Sequence, residues 1–250
     1  MKVGNNDLLR YSKQIILKQV GILGQKKISS TKVLIVGMGG LGCPLALYLS
    51  SLGINNIGIA DHDKVNLSNL NRQILFNTSD IGKFKVIQAK KFLLKKNKKI
   101  NINIYKKKII KENIQNILQK YDVICDCSDN FTTRYLLNDF CLKNKKILIS
   151  AAISKFEAHI FNFNFSKNIP CYRCFMPEIP VTDNKCDSEG ILPTVAGIAG
   201  TLQANEVVKS ILNKKSELVG KMIVFNTLNL NFRKIKLTKN TNCIESCVKK

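Results

Sequence analysis

VLIVGMGGLGCPLALYLSSLGINNIGIADHDKVNLSNLNRQ, Val33 to Gln73, is the stretch whose reading decides the fold. Val33–Val36 is a short β-branched run of the kind that fills a buried strand. Gly37, Gly39 and Gly42 follow as G-x-G-x-x-G, where the chain must turn from strand into helix. Such glycines permit a tight turn, close approach of backbone to phosphate, and close packing of helix on strand. The helix expected over Leu41–Leu52 aims its unpaired N–H groups and positive dipole end at an anion. A second strand, Asn56–Ala60, ends on Asp61, at the spacing where an acidic residue meets a ribose hydroxyl. Val33–Gly53 also lacks charge and is long enough to cross a bilayer. Four glycines and then Pro44 break a spanning helix, however, and suit a strand-to-helix turn. The stretch reads as a nucleotide site without a membrane span, and an NAD-dependent dehydrogenase is the rival that uses the same turn.

The residues after Asp61 separate the nucleotides. DHDKVNLSNLNRQ, followed shortly by DIGKFK, resembles the MoeB/ThiF/HesA family, relatives of the ubiquitin-activating enzymes. That family's loop reads D-x-D-x-V-x-x-S-N-L-x-R-Q, and Asp61, Asp63, Val65, Ser68, Asn69, Leu70, Arg72 and Gln73 match it. The resemblance runs from LLRYSKQIIL, Leu8–Leu17, to the last cysteines.

The resemblance implies ATP-dependent joining of AMP to the C-terminal carboxylate of a small ubiquitin-like protein, usually ending in Gly-Gly. Carboxylate and triphosphate are both anions, and two unit charges ~4 Å apart repel by roughly 4 kcal/mol at intermediate dielectric. The site must therefore neutralise the phosphates and hold the reacting atoms in line. By resemblance, Arg72 and Lys85 meet the phosphates, Asp129 holds Mg²⁺ and Asp61 holds the ribose. Gly40 then sits at the turn, with Ser68, Asn69 and Asn130 nearby. Lys13, in RYSKQ, stands where many relatives carry an arginine that reaches the nucleotide of the other subunit of a homodimer. Lysine keeps the charge and loses the bidentate fork. Phe84 replaces the proline that usually precedes Lys85, and Lys83 competes with Lys85 for its role. Each residue also has an ordinary reading: Asp61 as a loop cap, Arg72 as a surface ion pair, Asp129–Asn130 as a helix cap.

Composition fits one soluble chain of 250 residues with a substantial core. The formal charge is +23, but the lysines are spread among Asn and Ile rather than clustered with aromatics. That spacing argues against nucleic acid; biased Lys/Asn/Ile usage on solvated faces explains most of the charge, and an acidic protein partner is the minority reading. No basic and apolar leader precedes Asn5, so the expectation is a cytoplasmic protein. Nine cysteines then point to reduced thiols, metal or catalysis rather than disulfides.

The expected organisation is a single domain, with an N-terminal helical segment over 1–30, a nucleotide-binding half over 31–150 and a carrier-binding half over 151–250. Helices are expected over Asn6–Lys18, Lys83–Lys96, Lys111–Gln119, Phe131–Lys143 and Thr194–Leu212. Strands are expected over Asn101–Tyr105, Asp122–Cys127 and Ile147–Ile149. Alternation of Phe161, Phe163 and Phe165, and of Leu228, Leu230 and Phe232, predicts antiparallel strands with a bulge near Arg233. The fold class is α/β: a Rossmann-like parallel half continuous with a mixed, zinc-clipped half.

Cys171 and Cys174 form C-Y-R-C, and Cys243 and Cys247 form C-I-E-S-C. Two close pairs of thiolates suit one tetrahedral Zn²⁺, although the family's second pair has one residue fewer between its cysteines. A redox pair and four unligated thiols are the rivals. Cys186, in DNKCDSEG, lies where a ThiF-like cysteine takes part in sulfur transfer. Cys43, Cys125, Cys127 and Cys141 read as small core residues, and His62 and His159 receive no role.

The functional expectation is an adenylyltransferase acting, as a homodimer, on a MoaD-like (molybdopterin) or ThiS-like (thiamine) sulfur carrier. Alternatives are a tRNA threonylcarbamoyladenosine dehydratase-like enzyme, which generally lacks paired zinc cysteines, and a nucleotide-binding module without turnover. No rhodanese-like stretch follows Lys250, so sulfur is expected from a separate protein.

Overall fold

The computed structural model describes residues 5–179, 190–213, 216–241 and 243. The β-branched run forms β1 (Lys32–Val36), buried along Val33–Val36 because both faces of the sheet are covered. β1 lies between β2 (Asn56–Ala60) and β4 (Val123–Asp126), with β3 (Asn101–Tyr105) beyond β2. β5 (Ile147–Ser154) follows β4, and all pairings across this half are parallel. The order then continues through β6 (Glu157–Asn164), β7 (Lys221–Asn226) and β8 (Asn231–Lys236), each antiparallel to its neighbour. One eight-stranded sheet thus carries both halves, and β5 belongs to each.

Period-two alternation sends Ile35 to one apolar cluster and Leu34 to another. The first cluster includes residues of α4 (Gly42–Ser51), α5 (Lys85–Lys96) and the long α9 (Pro193–Ile211). The second includes residues of α6 (Lys111–Leu118) and α7 (Phe131–Lys143), with Phe161 and Phe163 of β6. Among the described residues no helix is long and apolar enough to cross a membrane.

Three expectations are corrected. The single N-terminal helix is broken into α1 (Asn5–Arg10) and α2 (Ser12–Ile15) at Tyr11, and α3 (Gly21–Ser30) follows. The break buries Tyr11 against Gly53, where its hydroxyl accepts from Asn97 Nδ2 at 3.2 Å. No bulge lies at Arg233, which pairs with Val224 in an unbroken register. Leu228 and Leu230 are in the hairpin turn, Leu230 at φ +53°, so their alternation with Phe232 is not that of one strand. β8 is exposed throughout, so no buried face imposes a period on it.

Candidate nucleotide site and cysteine cluster

The site lies at the carboxyl ends of β1 and β4, where the strand order reverses and an open α/β sheet leaves a crevice. Gly37 leaves β1 at φ +94°, and a Cβ there would meet Cys127 O at 2.5 Å and Ser128 N at 3.2 Å. The missing side chain lets the turn after β1 lie directly against the turn after β4. A Cβ at Gly42 would overlap Gly37 O, so the start of α4 is equally close to the strand.

Asp61, at the end of β2, is buried and locked to the turn. Its Oδ2 accepts from Met38 N–H at 2.6 Å, and its Oδ1 accepts from Asp63 N–H at 2.8 Å. Burial holds its carboxyl above the ordinary carboxylate value, while Lys85 and the Asp63 and Met38 amides act in the opposite sense. Lys85, at the start of α5, is 6% exposed and places Nζ 3.0 Å from Asp63 Oδ2. Lys83 turns away and donates to Ser79 O at 2.6 Å, so of the two competing lysines Lys85 is the one at the Asp61 loop. Phe84 joins Lys64 in a β-bridge that ties this loop to α5.

Arg72 lies in the turn just after a short 3₁₀ segment, Leu67–Asn69, with its side chain beside the glycine turn. A Cβ on Gly40 would lie 3.4 Å from Arg72 Cγ and 3.1 Å from Ala196 Cβ on α9. The Arg72 guanidinium donates to Ser68 O at 2.9 Å and Asn71 Oδ1 at 3.1 Å. Ser68 Oγ donates to Asn66 Oδ1 at 3.0 Å, and Asn69 lies partly exposed beside it. Asp129 is exposed after β4, while Asn130 caps α7 by accepting from Thr133 N–H at 2.9 Å. The contacts thus link the glycine turn (Gly37, Gly39, Gly40, Gly42) to Asp61 through Met38 N–H, to Arg72 beside Gly40, and to the Cys127–Ser128 turn that leads to Asp129 and Asn130, with Lys85 on Asp63 and Ser68 and Asn69 beside Arg72. Lys13 is not among them. It is exposed on α2, whose Gln14 donates to Leu52 O at the far end of α4.

The turn after β4 rests on a buried network that the sequence reading did not single out. Asp126 accepts from Arg134 Nε at 2.9 Å, Ser150 Oγ at 2.6 Å and Ser128 Oγ at 2.5 Å. Gln203 of α9 donates to Asp126 O at 2.9 Å. Gln203, a polar residue buried in the apolar stripe of α9, was the available signal.

The second cluster joins the loop before α8 (Tyr172–Phe175) to the chain beyond β8. Cys171 Sγ lies 3.9 Å from Cys174 Sγ and 3.6 Å from Cys243 Sγ. Zinc–sulfur bonds of about 2.3 Å put tetrahedral sulfur neighbours about 3.8 Å apart, so these three fit three corners of a Zn²⁺ site. Cys186 and Cys247 lie outside the described residues. Cys43, Cys125, Cys127 and Cys141 are buried, and burial pushes the Cys43 thiol up to about 12. His62 and His159 each gain a carboxylate neighbour, Asp63 at 3.4 Å and Glu157 at 2.9 Å.

The sequence profile of the ThiF family matches residues 11–245. The chain belongs to the ThiF family. A Culex quinquefasciatus protein named adenylyltransferase and sulfurtransferase MOCS3 is 41% identical over 246 residues, 97% of this chain and 56% of that protein. The Aedes aegypti protein of the same name is 41% identical over 245 residues, again 97% and 56% of the two chains. This ThiF-family chain thus spans a little over half the length of the curated relatives it matches. Among solved structures, E. coli MccB with ATP superposes with a TM-score of 0.83 at 25% identity, covering 96% of this chain and 74% of that one.

Proposed function

We propose that the chain is an ATP-dependent adenylyltransferase acting on a small ubiquitin-like sulfur carrier that ends in Gly-Gly, in molybdopterin biosynthesis. In that reaction a carboxylate oxygen of the terminal glycine bonds to the α-phosphorus, the bond to the β-phosphate breaks, and pyrophosphate leaves. The observation that carries the reading is the convergence of Arg72, Lys85 and the start of α4 on one glycine turn beside Asp61. Two cations and a helix N-terminus offset the repulsion between carboxylate and triphosphate. The names of the MOCS3 relatives and of the ATP-bound MccB structure point the same way. Asp129 would hold Mg²⁺ with the phosphates, and that ion would neutralise their charge.

A protein substrate is supported by the outer strand. Leu228, Leu230 and Phe232 are exposed at the β7–β8 hairpin, beside exposed Arg233, Lys234 and Lys236. A homodimer with shared sites is supported by Lys13, since α4 is 10 residues, about 15 Å, long and separates α2 from the turn. Within its own chain Lys13 is at the wrong end. Cys171, Cys174, Cys243 and Cys247 would hold a structural Zn²⁺, and Cys186 would serve sulfur transfer.

The test is ATP–pyrophosphate exchange. It should require Mg²⁺ and a carrier with a free C-terminal glycine, and Arg72→Ala should reduce it about 100-fold or more. NAD-linked turnover without ATP would end the proposal.

A further inference from the structure

Arg134, on the first turns of α7, is a buried cation that contacts neither the glycine turn nor the surface. Its Nε donates to Asp126 Oδ2 at 2.9 Å, and its Nη2 donates to Ser128 O and Ala151 O, both at 2.9 Å. Burial is the largest single influence and works against its charge, but Asp126 and Tyr172 together outweigh it and hold the guanidinium above its usual range. A buried ion pair is seldom more stable than well-packed apolar side chains of the same volume, so stability alone is a weak account of Arg134.

The role is suggested by what the three acceptors have in common. Asp126 ends β4, Ala151 lies in β5, and Ser128 immediately precedes Asp129. The Cys127–Ser128 peptide is the segment that touches Gly37. Arg134 therefore staples the one piece of backbone that lies between the glycine turn and Asp129. Its Cζ also lies 5.7 Å from the Tyr172 ring, which extends the staple to α8 and the cysteine cluster.

We infer that Arg134 is a positioning residue that holds Asp129 over the glycine turn and so sets how tightly a divalent cation is bound with a nucleotide there. This rests on the reading of Asp129 as the carboxylate of a metal–nucleotide site. Lysine at this position keeps a charge opposite Asp126 but lacks the fork that reaches the Ser128 and Ala151 carbonyls together.

The experiment titrates Mn²⁺, followed by electron paramagnetic resonance, into the full chain saturated with ATP. Arg134→Lys should weaken Mn²⁺ binding about 10-fold or more, as for loss of an outer-shell partner, with metal-free ATP affinity within about 2-fold of wild type. A merely structural role would lower the melting temperature and leave the Mn²⁺ affinity of the folded fraction unchanged. That result would overturn the inference. Ser128→Ala removes one bond to Asp126 and should weaken Mn²⁺ by a smaller factor, so it decides the matter where Arg134→Lys does not fold. Unchanged Mn²⁺ affinity in Asp129→Asn would overturn the underlying assignment of Asp129. Tight Mn²⁺ binding without carrier-dependent exchange would refute the adenylation proposal alone.

Discussion

At the residue scale, Asp61 is a carboxyl group held where burial disfavours its charge. Its carboxylate receives two backbone N–H groups, yet burial is the larger influence and raises its native pKa above 3.8. The native state therefore binds that proton more tightly than the unfolded chain does. The associated stability is greatest below pH 3.8 and is lost as pH rises from there through the higher native value. A ribose hydroxyl donating to Asp61 would favour the charged form. The Asp61 carboxyl carbon should thus titrate above 3.8 by NMR in nucleotide-free protein, and at lower pH with ATP bound. A midpoint at or below 3.8 without nucleotide would mean that the amide donors outweigh burial. Asp61, Arg72 and Lys85 were legible because their positions follow a dense local motif. Arg134 was not, because its meaning depends on Ala151, 17 residues away in sequence and one strand across the sheet.

At the element scale, the parallel half was legible throughout, and the antiparallel half only at β6 and α9. β1 and β2 match the expected runs, β1 to within a residue, because buried parallel strands write apolar runs between breakers, and edge strand β3 was legible from the alternation in NINIY. β7 was missed because its partner β6 lies far back in the chain, and exposed β8, its hairpin partner, carries no clean apolar alternation to announce it. The cysteine cluster belongs to this scale as well, since it ties α8 to the chain after β8. Its neighbours already anchor α8 to α7: Arg173 grips Asp139 through two bonds of 2.8 and 2.7 Å, and Asn138 Oδ1 accepts from Tyr172 N–H at 2.8 Å. Protein purified without chelator should contain about one zinc per chain, the occupancy of a single Cys₄ site. Cys171→Ser should lower zinc content and melting temperature together, since metal affinity at such a site is folding free energy. Less than about 0.2 zinc per chain by elemental analysis would count decisively against a resident metal.

At the scale of the whole molecule, the position of α2 makes a quaternary prediction. Lys13 and Arg72 sit at opposite ends of α4, so a shared site needs Lys13 from a second copy. Arg72→Ala and Lys13→Ala chains, each inactive alone, should regain part of the exchange activity when mixed. Hybrid dimers verified by mass and still inactive would exclude a site completed across the interface. The net charge of +23 bears on the rate of encounter with a carrier rather than on the fold. Neither the proposed pairing of copies nor the proposed carrier could be read from periodicity, because both would depend on surfaces whose composition no core constrains.

The central place of β1 has a consequence for how the molecule is born. β1 and β2 are close in sequence, but the other neighbour of β1 is β4, whose Asp122 flank accepts from Lys32 N–H at 2.9 Å across 90 residues. Gln203 of α9 then seals the carbonyl of Asp126 from later still. A chain emerging from the ribosome would hold its glycine turn ready long before the peptide that rests on it arrives. Closing so long a loop delays productive collapse, and an unpaired edge of β1 invites wrong partners in the interval. The turn after β4 is thus sealed only once synthesis has passed α9.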